Sequence, residues 1–153
     1  MGTELTAQTL TVSITETIAV DHANGTTNDI DFAQTYTHTY GSIANVSKRI
    51  IKLANTNLTE VATFGTDTQN GAFVRADVRY IRVTNLDDTD ALQVGLDDED
   101  SDAAYTSVAA DSSIIFTGTT VEGGNGGSTL DNATALKVKG SANQQLEVMI
   151  ASV

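Results

Sequence analysis

The stretch Tyr80–Asp100, YIRVTNLDDTDALQVGLDDED, decides the fold. Ile81 and Val83 alternate with Arg82 and Thr84, and later Leu92, Val94 and Leu96 alternate with Gln93 and Gly95. A period of two marks an extended chain with one buried face. Each run ends in aspartates, which favour turns over strands. The unit therefore reads as strand, acidic turn, strand, acidic turn.

The same period extends outward in both directions. In AFVRADVRYIRVTN (72–85), Val74, Ala76, Val78 and Tyr80 share one face and Arg75, Asp77 and Arg79 the other. Beyond Tyr80 the apolar residues change face, which a bulge or passage of the strand between two environments would explain. In VSKRIIKLA (46–54), Arg49, Ile51 and Leu53 lie opposite Lys48, Ile50 and Lys52. Val46, Ile50 and Leu53 also suit a helical spacing, but the segment is short and β-branched, which favours a strand. Leu10, Val12, Ile14, Ile18 and Val20 face away from Thr11, Ser13, Thr15 and Thr17, and Tyr36, His38 and Tyr40 alternate with threonines. Further strands are expected at 61–64, 105–110, 113–118, 135–139 and 145–151. Turn signals recur every 8–12 residues or so, the spacing of an all-β sandwich or barrel.

Composition agrees. The 153 residues are 40% hydrophobic but only 5% aromatic, with no Trp, Pro or Cys. The core must be aliphatic, and neither disulfides nor thiolate metal sites can form. Twenty acids against eight bases give a formal charge of −12. Phosphate backbones and anionic membranes are poor partners for such a chain. No apolar run approaches the ~20 residues of a membrane span, and the N-terminus lacks the pattern of a signal peptide. The expectation is an all-β, single-domain β-sandwich of jelly-roll type with about 8–10 short strands over residues 10–153. An extended arm is expected over residues 1–9.

Several clusters invite a chemical reading. Asp87, Asp88 and Asp90 are followed by Asp97, Asp98, Glu99, Asp100 and Asp102. Asp98, Asp100 and Asp102 match the opening of a calcium loop, but Ala103 stands where such a loop needs Gly and Ala109 where it needs Glu. The loops 87–90 and 97–102 are read as solvated turns, with calcium binding as the competing reading. His22 and His38 lie far apart, and His38 belongs to a tyrosine-flanked stripe suited to packing or an interface, with metal or sugar binding as the competing reading. EGGNGGS (122–128) lacks the Gly-Lys-Ser/Thr ending of a phosphate loop. The Asn-x-Ser/Thr triplets at Asn24, Asn45, Asn57 and Asn132 are read as chance in a Thr-rich chain. Lys48, Arg49, Lys52, Arg75, Arg79 and Arg82 would form a basic patch if their strands pair, at the end opposite the acidic loops. No catalytic, cofactor-binding or metal residues are assigned, and no enzyme is expected.

The segments VRYIRVTNLDDTDALQVGL, TSVAADSSIIFTG and ALKVKGSANQQLEVMIAS, within Phe73–Val153, resemble small β-sandwich structural proteins of tailed phages, of the capsid decoration (cement) type. The resemblance implies a jelly-roll fold and a homotrimer on the capsid outer surface. It also implies the major capsid protein as partner, and no catalysis. The basic strands and N-terminal arm would face the capsid, and the acidic loops solvent. The alternatives are a tail, fibre or head-vertex subunit, or a calcium- or carbohydrate-binding β-sandwich module.

Overall fold

The computed structural model describes residues 8–20, 30–67, 73–98, 104–117 and 133–153. Two long strands come first, β1 (Gln8–Val20) and β2 (Ile30–Ile43). They are followed by β3 (Asn45–Lys52), β4 (Thr59–Gly65), the two-residue β5 (Phe73–Val74) and β6 (Val78–Asn85). Then come β7 (Leu92–Asp98), β8 (Ala104–Val108), β9 (Ser113–Thr117), β10 (Ala133–Lys139) and β11 (Gln145–Ser152). Eleven strands among the described residues is slightly above the expected range. The excess is β5, a short parallel addition to β4 too brief to read from alternation.

Two sheets make the sandwich: β5-β4-β10-β7-β8 faces β3-β11-β6-β9. The eight longer strands pair as β7·β8, β6·β9, β4·β10 and β3·β11, each antiparallel. These pairs are nested, as if one long hairpin had been rolled over itself, and this is the jelly-roll order. The third sheet, β1-β2, belongs to neither layer. The sandwich thus begins at Asn45 rather than near residue 10, and of the expected arm Gln8 and Thr9 lie in β1 while 1–7 fall outside the described residues.

Period-two packing fills the space between the layers. Leu146, Val148 and Ile150 of β11 and Ile81 and Val83 of β6 face Leu92, Val94, Leu136 and Val138, all at most 1% exposed. The expected continuous strand through 72–85 is a correction. A 3-10 turn at Arg75–Asp77 breaks it, carrying the chain from β5 in one sheet to β6 in the other. Val74, Ala76, Val78 and Tyr80 consequently do not share a face.

The expected bulge is present. Ala151 pairs with Tyr80 and Ser152 with Val78, which leaves Arg79 as the extra residue on β6. Val78 and Ile81 therefore both enter the core, while Tyr80 is delivered to the outer face of the sheet.

Four connections cross between the sheets at one end: 53–58, 86–91, 109–112 and 140–144. Two buried amides lace them together. Asn85 Nδ2 donates to the carbonyls of Asp90 at 2.7 Å, Ala109 at 3.1 Å and Val108 at 3.3 Å. Asn85 Oδ1 accepts from Gln144 Nε2 at 3.0 Å and from the Asp87 N–H at 3.2 Å. Gln144 also donates to Asp90 O, and its Oε1 accepts the Ser141 N–H at 2.7 Å. Backbone bonds from Leu53 N to Gln144 O and from Asn143 N to Leu53 O tie in the fourth connection.

Asn143, at φ 71°, and Asp111, at φ 54°, take the left-handed conformation that such tight turns need and that Asn and Asp tolerate. A Cβ on Gly140 would lie 2.0 Å from Gln144 Oε1. Because Gln144 is 2% exposed and fully engaged, it has nowhere to retreat.

Buried amides stripped of their partners are costly. In urea unfolding, Asn85→Leu and Gln144→Leu should each destabilise by about 2–4 kcal/mol, and Gly140→Ala by about 1–3 kcal/mol. The Asn85→Leu/Gln144→Leu double variant should lose less than the sum, since the two residues share the Gln144–Asn85 bond and the Asp90 carbonyl.

Candidate interaction surface

The β1–β2 ribbon has two different faces. In register, Leu10 pairs with Tyr40, Val12 with His38 and Ile14 with Tyr36, making an apolar and aromatic face. The backbone register continues through Ile18–Phe32 and Val20–Ile30. The opposite face pairs Thr11 with Thr39, Ser13 with Thr37 and Thr15 with Thr35. Hydroxyls bridge the last two pairs at 3.2 and 3.0 Å. Cross-strand Thr pairs stabilise a ribbon modestly, and a two-stranded ribbon in water is marginal by itself.

The ribbon gains support at its base. A bulge between Gln8 and Leu10, with Ser42 at φ 59°, turns Ile43 into the body. Ile43, Tyr80 and Ala151 form a second buried cluster against which Leu10, Val12, Tyr40, Ile115, Met149 and Val153 pack. Tyr40 lies 6.1 Å from the Tyr80 ring and 4.4 Å, edge to face, from His38. Burial pushes the Tyr40 phenol above its usual range, with its hydrogen bond to Thr117 working the other way. Among the described side chains, packing against the body stops there. The next pair outward, Ile14 and Tyr36, is 46% and 52% exposed. His38 is exposed and stacks edge to face on Tyr40, whereas His22 is outside the described residues.

The seat lies on the outer face of the four-stranded sheet, whose cross-strand rows are Val46–Ala151–Tyr80–Thr117, Lys48–Met149–Arg82–Ile115 and Ile50–Glu147–Thr84–Ser113. Glu147 stands between two cations, 3.0 Å from Lys48 Nζ and 2.5 Å from Arg82 Nη2. β3 and β6 do not pair, because β11 lies between them. The expected basic patch is therefore divided by an acid rather than continuous. Arg49 donates to Val61 O and Arg79 to Ala76 O, so both serve local structure. Val46 and Ile50 on the β3 edge are 56% and 63% exposed.

The acidic clusters separate. Asp87–Asp90 precede β7 and Asp97–Asp98 end it, placing them at opposite ends of the strand, roughly 20 Å apart at ~3.4 Å per residue. The expected polarity, acids at one end and bases at the other, is thereby corrected. Asp87 Oδ1 accepts the Asp90 N–H at 2.8 Å and the Thr89 N–H and hydroxyl at 3.0 Å, making it a turn cap. Those bonds hold its carboxyl below the usual range, the Asp90 N–H first.

Asp97 accepts from Lys137 and, at 3.1 Å, from the Tyr105 hydroxyl. That ammonium is held above its usual range chiefly by Asp97. Burial, and then Asp97, raise the Tyr105 phenol. Among the described residues, no group of three or more His, Asp or Glu is placed to hold a metal. Glu99, Asp100, Asp102, EGGNGGS, Asn24 and Asn132 lie outside the described residues. Asn45 opens β3, and Asn57 sits in the exposed β3–β4 turn.

A shallow groove of about 370 Å³ runs beside Tyr105, lined by Thr56, Asn57, Leu58, Gln93 and Lys139. It is open, and it presents one aromatic ring. Among the described residues no helix is long and apolar enough to cross a membrane.

Comparison of the chain with protein-family models, with curated proteins and with solved structures gives no match. Alternation shows the two ribbon strands but not the seat, because it places Tyr80 on the face of Val78 and only the Arg79 bulge reverses it.

Glu147 gives this face a pH signature. Its carboxyl is held below the ordinary value of 4.5 by the Lys48 hydrogen bond first, with burial opposing and Arg82 assisting. A depressed folded pKa stabilises above the unfolded value and is lost as pH falls through the folded one. The urea midpoint should therefore fall as pH is lowered below 4.5, and Glu147→Gln should flatten that slope. An identical slope in the variant would show that the bridge contributes nothing.

Proposed function

We propose that this chain is a non-catalytic structural protein of a tailed-phage virion, decorating the capsid outer surface as a homotrimer and tying neighbouring major capsid subunits together. The observation that carries the reading is the ribbon. It is a long amphipathic element outside both sheets, seated on its own body at one end and presenting Ile14 and Tyr36 to solvent beyond. An exposed row of this kind is the signature of a surface completed by another protein. The resemblance of the Phe73–Val153 segments to cement proteins supplies the setting, and the jelly-roll order is compatible with it.

Cementing requires no reaction. Each apolar Å² removed from water between capsid subunits contributes about 25 cal/mol, and a trimer spanning several subunits adds its contacts cooperatively. A net charge of −12 keeps the decorated exterior hydrated and mutually repelling.

Particles stripped of the protein should lose their packaged DNA at a lower temperature than decorated ones, and adding the purified chain back should restore the difference. Equal heat resistance with and without the protein would refute the stabilising role.

A further inference from the structure

We propose that the exposed part of the β1–β2 ribbon around Ile14 and Tyr36 docks on the β3 edge of a second copy of this chain. The inference deepens the homotrimer of the proposed function, but it needs no capsid and is tested without one.

Cover is required because the ribbon is two-stranded and, beyond the packed Leu10, Val12 and Tyr40, its Ile14 and Tyr36 stand exposed. Charge selects the partner surface. The first 47 residues contain no Lys or Arg, and Glu16 falls on the same face as Ile14 and Tyr36, paired in register with Gln34. Two ribbons packed face to face would oppose acid to acid. A basic stripe with apolar flanks fits instead, and the outer face of β3 is one: Val46, Lys48, Ile50 and Lys52, at the same two-residue spacing. Val46 and Ile50 are the exposed flanks, and Lys48 keeps 58% of its side chain exposed while bridging Glu147. Glu16 between Ile14 and position 18 is thus the charge complement of Lys48 between Val46 and Ile50.

The ribbon's root reaches from Ile43, beside Ala151 of β11, to Tyr40, bonded to Thr117 of β9. The receiving stripe lies on β3, the edge of the sheet opposite β9. Donor and acceptor surfaces on opposite edges make a head-to-tail contact, which must close into a ring or run on as a fibre. A ring of three is the homotrimer.

The test uses two variants at exposed positions, Ile14→Asp on the ribbon and Ile50→Asp on the stripe, with urea midpoints near wild type confirming the fold. Light scattering after size exclusion should show a wild-type trimer, and each variant should self-associate more weakly by about tenfold or more. Mixed in equal amounts, the variants should form a two-chain species, because the intact ribbon of one meets the intact stripe of the other. A wild-type monomer at the highest soluble concentration would overturn the proposal. So would an Ile50→Asp protein that assembles like wild type, or variants that fail to pair on mixing. Assembly without any change in capsid heat resistance would sink the cementing role and leave this contact standing.

Discussion

The contact between the buried side chains of Gln144 and Asn85 is the constraint on which the sandwich depends. A jelly roll has to send its chain back and forth between two sheets, and each crossing removes backbone groups from the ladders. At the end formed by 53–58, 86–91, 109–112 and 140–144, those groups are satisfied by two amides acting as a shared bracket. Their short, neutral side chains suit the task, since each offers both donors and an acceptor without the desolvation cost of a charge. The apolar layers can then meet in the register that alternation dictates.

Two local departures from regular pairing turn this scaffold into a surface. Arg79, the extra residue of β6, rotates Tyr80 out of the core and onto the outer face. Ser42, in the left-handed region, turns the end of β2 inward so that Ile43 meets Tyr80 and Ala151. Neither irregularity has value alone. Together they create a small apolar seat outside the main core, and a long ribbon is anchored by a few side chains at its root.

Much of the fold was legible because period-two patterning is a direct projection of sheet geometry. Leu92–Leu96, Leu146–Ile150 and the ribbon's Leu10–Ile14 and Tyr36–Tyr40 rows can be read from residue type alone. What could not be read were positions where tertiary context overrides the period. The 3-10 turn at Arg75–Asp77 sits within an alternating run whose change of face comes only beyond Tyr80, so the pattern does not locate the change of sheet. Asn85 closes the run 72–85 and Gln144 precedes the last strand, and residue type alone marks neither as buried. Their pairing across 59 positions is a property of the closed fold. The ribbon's independence was hidden for the same reason, since its strands carry a sandwich-like pattern while pairing only with each other.

Nesting imposes an order of events. The pair β7·β8 closes the shortest loop, and β6·β9, β4·β10 and β3·β11 enclose progressively longer ones, so the chain entropy lost on closure rises from the innermost hairpin outward. The outermost pair brings Ala151 beside Val46. Ala151 and Val153 belong to the platform under the ribbon, so this platform depends on the pair whose closure costs the most chain entropy. A partially zipped chain thus has nowhere to anchor the root of its protruding hairpin, and maturation of the monomer becomes a checkpoint ahead of any assembly.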